Sequence, residues 1–200
     1  MSRRLWWRVV AVAVAMVGAL AWPTTGAAQT VVGNAKAVRA TTFGLLGGTT
    51  TTLASTGALG GPGDGLDATQ VTASVSSLLS GEVLRAVTTA WTDQVASEAS
   101  LASLDMTVAG IGITADFVQA TALALLGEAG SASSLISNLS INGVPIDVTG
   151  APNQTIAIPG GRVVINEQRV SSASTTVNAL HAVVTGVADV VVASATAGIQ

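Results

Sequence analysis

The chain is poor in the residue types that carry most enzyme chemistry. None of its 200 residues is cysteine or tyrosine, and only one is histidine. The lack of cysteine excludes disulfides, thiolate metal sites, a cysteine nucleophile and a lipoprotein anchor. A single imidazole without cysteine cannot supply the usual ligands of a zinc site, and no GxSxG turn marks a hydrolase nucleophile. We therefore expect no cofactor, no bound metal and no catalysis.

Charge is also scarce, since charged residues make up 10% of the chain and aromatic residues 3%. Five basic residues follow position 28, against eleven acidic ones, which gives that part a net charge of −6. The five are Lys36, Arg39, Arg85, Arg162 and Arg169. Binding of a phosphate backbone needs clustered cations, and these are scattered along the sequence, so we expect no nucleic-acid partner.

The first 28 residues have the layout of an export signal. Three arginines lie among the first eight residues, an apolar run covers Val9–Ala21, and small residues occupy positions 26–28. Spanning a bilayer takes roughly 20 apolar residues, and no second apolar run of this kind follows. We predict a signal-peptide helix at residues 1–28 and no transmembrane segment in the mature chain.

This layout predicts cleavage after Ala28 and one exported domain at residues 29–200, which is secreted, periplasmic or at the cell surface. Cleavage after Ala21 is the competing site. Residues 2–8 also resemble a twin-arginine signal, so export by the Sec or the twin-arginine route stays open.

Alternation of apolar and polar residues predicts strands in the first half of the chain. The predicted strands are 31–43, 68–75, 83–91 and 95–108. A helix is the alternative over residues 76–105, which are rich in good helix formers. The glycine-rich segment from Gly60 to Asp67 predicts a surface loop.

The second half predicts a strand at Ile111–Val118 and then three hairpins. Their turns are expected at Asn142–Gly143, Pro159–Gly161 and Thr185–Gly186, where glycine tolerates the positive φ of a tight turn. Successive hairpins indicate antiparallel pairing. We predict an all-β fold, an antiparallel β-sandwich or barrel-like single domain, with a β-solenoid as the alternative, although the sequence has no fixed repeat.

Four segments resemble the core of the choice-of-anchor P family of exported bacterial proteins. They are Gly112–Ala120, Ser133–Val148, Pro152–Gln168 and Val177–Gly198. The most specific parts are Asn166–Gln168 and Asn178–His181. The resemblance implies a β-rich extracellular module, attached to the envelope by variable C-terminal signals, and implies no activity. Because no sorting motif precedes Gln200, we expect release or periplasmic residence.

Four residues are candidates for a polar cluster: Asn166, Glu167, Gln168 and His181. They could grip a ligand. In a structural role, Glu167 would pair with Arg169 or Arg162, and Asn166 would satisfy backbone groups at a turn. Strict alternation places His181 on one face with Val177, Ala179 and Val183, as a packed or hydrogen-bonded side chain. Along the predicted strand 31–43, strict alternation places Arg39 on one face with Ala35 and Ala37, and Lys36 on the other face.

Three chemical alternatives remain. Calcium could bind Asp64 and Asp67 in the glycine-rich loop. Asp105, Asp116 and Glu167 could converge as the acids of a glycoside hydrolase. Any other hydrolase would need His181 within hydrogen-bond reach of both a hydroxyl and an acid.

These observations favour an exported, non-catalytic structural or interaction module at the cell envelope or in the extracellular space. Its partner would be an envelope polymer or a protein. A glycan-binding module is the alternative, which an exposed Trp91 or Phe43 beside a polar groove would support. Homo-oligomers could form through sheet edges, with Val-rich strands such as Val187–Ala197 as candidates.

Overall fold

The structure, a computed structural model, describes residues 29–45 and 47–200, in which every regular element is a β-strand. The predicted signal peptide at residues 1–28 lies outside these residues. The strands are β1 (Val31–Gly44), β2 (Gly47–Ser55), β3 (Gly65–Val75), β4 (Leu79–Ala90), β5 (Gln94–Val108), β6 (Ile111–Leu125), β7 (Ser131–Ser137), β8 (Ser140–Ile141), β9 (Val144–Pro145), β10 (Gln154–Ile158), β11 (Gly161–Val170), β12 (Thr175–Val184) and β13 (Ala188–Ile199). Across the described ranges there is no helix long and apolar enough to cross a membrane.

The strands form two antiparallel sheets that pack face to face. Sheet A has the order β10-β11-β12-β13-β1-β2. Sheet B has the order β3-β4-β5-β6-β8-β9, and β7 pairs with β6 beside β8. The chain leaves sheet A after β2, builds sheet B, and returns to sheet A at β10. Both sheets are open, so the fold is the predicted antiparallel β-sandwich, and the barrel-like and solenoid alternatives are wrong.

The three predicted hairpin turns are present. Asn142 and Gly143 have φ values of 51° and 75°, as a type I′ turn requires, and they join the short strands β8 and β9. Pro159 and Gly160 join β10 to β11, and the turn around Gly186 joins β12 to β13. The sequence predicts arms at residues 133–141 and 144–148 for the first hairpin, but its strands have only two residues each, because the segment before Asn142 divides into β7 and β8.

In the first half, one strand was not predicted and one predicted loop needs correction. The segment after Gly44 contains strand β2, which pairs with β1 although its Gly and Thr content is typical of a loop. The predicted loop at Gly60–Asp67 ends early, because β3 begins at Gly65. Residues 79–90 and 94–105 are strands, with a turn at residues 76–78 before the first and a connection at residues 91–93 between them, so the helical alternative is wrong.

Small side chains fill the space between the sheets. Alanines and valines from the inner faces of β1, β5, β6, β12 and β13 are fully buried, and six larger residues complete the core. The six are Leu84, Leu101, Met106, Ile113, Ile165 and Leu180. One polar pair lies in this interior: Ser97 of sheet B donates to the Thr196 carbonyl of sheet A at 2.7 Å. The Ser97 and Thr88 hydroxyls are 2.6 Å apart, so Thr88 must donate to Ser97.

A line of residues across sheet A interrupts the alternation of every strand it crosses. We call it the switch row: Ala54, Ala37, Ala193, Ala179 and Asn166, from β2, β1, β13, β12 and β11. Three of them have left-handed backbone, with φ values of 43° (Ala54), 52° (Ala193) and 53° (Asn166). Two consecutive side chains are buried there, such as Ala37 with Val38 and Ala179 with Leu180. Side chains beyond the row therefore have the opposite parity.

Candidate binding site on the outer face of sheet A

The switch row decides which side chains share the solvent-facing side of sheet A. Within each of four neighbouring strands, outward residues follow the spacing i, i+2, i+5 and i+7. They are Asn34, Lys36, Arg39 and Thr41 of β1; Asp189, Val191, Ser194 and Thr196 of β13; Thr176, Asn178, His181 and Val183 of β12; and Arg162, Val164, Glu167 and Arg169 of β11. We call this surface the cationic face.

Two predictions from strict alternation are therefore wrong. Lys36 and Arg39 were placed on opposite faces of β1, yet both lie on the cationic face because the switch row falls between them. Alternation predicts that His181 shares a face with Val177, Ala179 and Val183, but Val177 and Ala179 are buried in the core. His181 lies instead beside Val191 of β13, on the side of sheet A that carries Asn178 and Val183.

Glu167 is the centre of a hydrogen-bond cluster on this face. Its Oε2 accepts from Asn178 Nδ2 at 2.6 Å and lies 2.9 Å from His181 Nδ1, and its Oε1 accepts from Arg169 at 2.8 Å. Burial raises the pKa of Glu167, but the hydrogen bonds from Asn178 and Arg169 and the nearby positive charges lower it by more. The net effect is a pKa below the usual value, so Glu167 is a carboxylate at neutral pH.

His181 lies between two carboxylates. Its Nε2 is 3.2 Å from Asp189 Oδ1, opposite the contact with Glu167, and its side chain is only 8% exposed. Both ring nitrogens therefore lie within hydrogen-bond distance of carboxylate oxygens. Because both nitrogens face carboxylate oxygens, neither faces a serine or threonine hydroxyl, as a hydrolase nucleophile would require.

Asn166 and Gln168 have a different environment from Glu167. Asn166 is 3% exposed, and its Nδ2 donates to the Gly150 carbonyl at 2.9 Å. Gln168 Nε2 is 2.9 Å from the Ala132 carbonyl and 3.0 Å from Asn166 Oδ1. These bonds attach β7 and the loop before β10 to β11. The four candidate residues thus divide into two on the cationic face and two that hold neighbouring segments.

A groove of about 210 Å³ opens on the cationic face. Three basic side chains line it, together with hydroxyl and amide groups and one valine: Lys36, Arg39, Arg169, Thr176, Asn178, Val191, Ser194 and Thr196. Lys36 Nζ donates to Asn34 Oδ1 at 2.7 Å. Burial, and then the charge of Arg39, lower the pKa of Lys36. Simple alternation along each strand would place Lys36 and Arg39 on opposite faces, so this site is not predicted by it.

A second groove, also about 210 Å³, lies on the outer face of sheet B beside Trp91, whose side chain is 44% exposed. Arg85, Glu98 and Thr121 contribute its polar groups. The glycan-binding alternative requires an exposed aromatic ring next to a polar groove. The exposed ring is present, but Val87 and Ala96 help to make this groove largely apolar. Phe43 is also exposed.

The carboxylates considered for other chemistry do not converge. Asp105 and Asp116 lie on the outer face of sheet B, whereas Glu167 lies on that of sheet A, so the sandwich separates them. Asp64 accepts from the backbone amides of Gly60 and Gly65, at 2.7 and 2.9 Å. Within residues 29–45 and 47–200, no group of three or more histidine, aspartate or glutamate residues is placed to hold a metal ion.

Comparison of the chain with protein-family models, with curated proteins and with solved structures gives no match. The resemblance to the choice-of-anchor P family stays a prediction.

Proposed function

We propose that the chain is an exported, non-catalytic interaction module that acts at the cell envelope or in the extracellular space, and that the cationic face is its contact surface. One observation carries this proposal. Residues 29–200 have more than twice as many acidic as basic side chains, yet four of the five basic ones lie on the outer face of sheet A. Such clustering against the net charge is what an interaction surface for an anionic partner requires.

The geometry of His181 supports a binding role over a hydrolytic one. Its ring nitrogens are both directed at carboxylates, and Glu167 already accepts three hydrogen bonds. A general base needs a free nitrogen within reach of a nucleophile or a substrate proton. The cluster instead fixes the side chains that border the groove.

Fractionation of the native host, with N-terminal sequencing of the recovered protein, tests this proposal. We expect material that begins at Gln29, in the periplasm, the envelope or the medium. Cytosolic protein with Met1 intact would contradict it. Release of envelope-bound protein by salt alone would indicate that electrostatic contacts hold it there.

A glycan-binding function is the second candidate, because Trp91 is exposed beside the groove on sheet B. After cleavage at Ala28, Trp91 is the only tryptophan left, so its fluorescence would report directly on a bound sugar. Quenching by neutral oligosaccharides would favour this function, with F43A, which removes the other exposed ring, as the matched control. No response with any sugar tested would count against it.

Pairing of copies through sheet edges stays a prediction, but the strand named for it was wrong. β13, which contains most of Val187–Ala197, lies between β12 and β1 and has no free edge. β3 is the better candidate, because it is an edge strand, carries Asp67 as its one charged residue and exposes Val71.

A further inference from the structure

The groove on the cationic face brings together basic side chains that are distant in sequence. Lys36 and Arg39 come from β1 and Arg169 from β11, and β12 and β13 lie between them. Neighbouring strands are about 4.8 Å apart, so β1 and β11 are separated by roughly 14 Å. Long side chains reach into the groove from both sides, above a floor that contains Thr176, Asn178 and Ser194.

The positive charge of this surface is only partly neutralised by the protein. Lys36, Arg39, Arg162 and Arg169 share the outer face of sheet A with two carboxylates, Glu167 and Asp189. Glu167 is occupied by Asn178, His181 and Arg169, and Asp189 lies between His181 and Arg39. Arg39 is 3.5 Å from Asp189, which is long for a charge-assisted hydrogen bond.

Lys36 is the clearest case of a charge without a counterion. Its one hydrogen bond to a described side chain is to the Asn34 amide oxygen, and no described carboxylate lies within 4.0 Å of it. Burial and Arg39 lower the pKa of Lys36, so the folded chain disfavours its charged form. A bound anion would reverse this effect, because an opposite charge favours the ammonium form.

We propose that this groove is a binding site for an oxyanion, a carboxylate or a phosphate group of the ligand, held by Lys36, Arg39 and Arg169. The proposal rests on the proposed function and specifies the chemistry of its partner. Lysine supplies a point charge, and the arginines supply paired N–H donors that match the two oxygens of such a group. The hydroxyls of Thr176, Ser194 and Thr196 provide further donors and acceptors for the rest of the ligand.

A second copy of the chain is the competing occupant of the groove. The outer face of sheet B carries Asp67, Glu82, Glu98, Asp105 and Asp116. These carboxylates could meet the cationic face of another molecule. They are spread over four strands, whereas the groove is a concave site of about 210 Å³ that suits one small group.

The test is a titration of the purified protein with inorganic phosphate and with galacturonate, followed by the chemical shifts of its backbone amides. Glucose, which lacks an anionic group, is the neutral control. We expect saturable binding of at least one anion, with a Kd on the order of 1 mM at low salt, because ion pairs exposed to solvent are individually weak. Comparison of the two anions shows whether phosphate or carboxylate is preferred.

Three variants distinguish specific binding in the groove from nonspecific electrostatic attraction to the protein. K36Q and R39Q should each weaken binding about tenfold, since each removes a charge-assisted contact. R85Q, which removes the one basic side chain from the outer face of sheet B, should bind phosphate as the wild type does, because Arg85 belongs to the separate groove beside Trp91. Unfolding midpoints of all three variants establish that each is folded at the titration temperature.

Three results would overturn the proposal. One is equal weakening by R85Q and K36Q, and another is a wild-type protein that binds neither anion at low salt. The third is concentration-dependent self-association that K36Q abolishes, because it would assign the groove to a second copy. These results leave the proposed function to its own test, since fractionation of the host does not depend on anion binding.

Discussion

At the scale of single residues, left-handed backbone at non-glycine positions determines which side chains share a face. Asn166 and Asn138 tolerate this conformation, but Ala54, Ala193 and Val83 gain nothing from it locally. Residue propensities therefore do not predict the switch row. The signal that was available is the repeated i, i+2, i+5, i+7 spacing of polar residues, as in Asn34, Lys36, Arg39 and Thr41.

Val83 is the most strained of these positions, because it is β-branched and has a φ of 47°. Its side chain is largely exposed, so replacement by glycine would remove little packing. Left-handed backbone costs an L-residue roughly 1–2 kcal/mol, and glycine in a strand loses about 0.5–1 kcal/mol through entropy. We expect V83G to raise the free energy of unfolding by about 0.5–1 kcal/mol in a urea titration.

The matched control is V87G, four residues further along β4, where the backbone has no positive φ. There glycine brings only the entropic loss and the loss of half-buried surface, so V87G should lower stability. If V83G also lowered it, the strain assigned to this position would be contradicted.

The lowered pKa of Glu167 makes the stability of the fold depend on pH. Because its pKa is lowered in the folded state, the unfolded chain takes up a proton first as the pH falls. Its contribution is complete above the ordinary glutamate pKa of about 4.3 and is lost as the pH falls through the lower folded value. We expect E167Q to flatten the acid limb of stability against pH, and to cost about 1–3 kcal/mol at pH 7 through weakened bonds to charged groups.

E128Q is the control for E167Q, since it removes one carboxylate from an exposed turn. Denaturant titrations between pH 7 and pH 3 compare the variants. An acid limb of E167Q that coincides with that of the wild type would show that the Glu167 cluster does not stabilise the fold.

At the scale of the elements, the parts that sequence could predict are those with local signals. β1, β5 and the turn at Asn142–Gly143 were predicted because alternation and turn residues mark them. β2 was missed because its Gly-Thr sequence is that of a loop, and its pairing with β1 depends on a distant partner. The cationic groove could not be predicted from single strands, because its lining side chains come from four strands and meet only through the register in which these strands pair.

The turn between β10 and β11 depends on a close approach at Gly161. A Cβ added there would lie 1.8 Å from the carbonyl oxygen of Val183 on β12. To remove this overlap, the backbones of β11 and β12 would have to move apart, which typically costs about 1–3 kcal/mol. We expect G161A to lower the free energy of unfolding by that amount in a denaturant titration.

G112A is the matched control, because a Cβ at Gly112 of β6 would have its nearest neighbour at 3.9 Å. Its effect should be small. Equal effects of G161A and G112A would contradict the close packing of β11 against β12.

At the scale of the whole molecule, two sheets with different outer surfaces enclose a core of small side chains. The outer face of sheet A carries four basic residues, and that of sheet B carries five acidic ones with Arg85. The sequence gives the net charge but not this division, which depends on pairing and on the switch row. The division is why we place the contact surface on sheet A.

Ser97 joins the two sheets through its bond to the Thr196 carbonyl. S97A would remove this bond and leave the buried Thr88 hydroxyl without its acceptor. An unsatisfied buried polar group costs about 1–3 kcal/mol. We therefore expect S97A to lower the free energy of unfolding by that amount, measured by thermal unfolding. T88V on the S97A background should recover part of it, and no recovery would contradict the proposed hydrogen-bond chain.

Hydrogen exchange of the protein, alone and bound to isolated host envelope, would show whether the cationic face is the contact surface. We expect slower exchange at residues 34–41, 176–183 and 189–196 on binding, with the segment around Trp91 unchanged. Protection confined to residues 85–98, or no protection in bound protein, would contradict it.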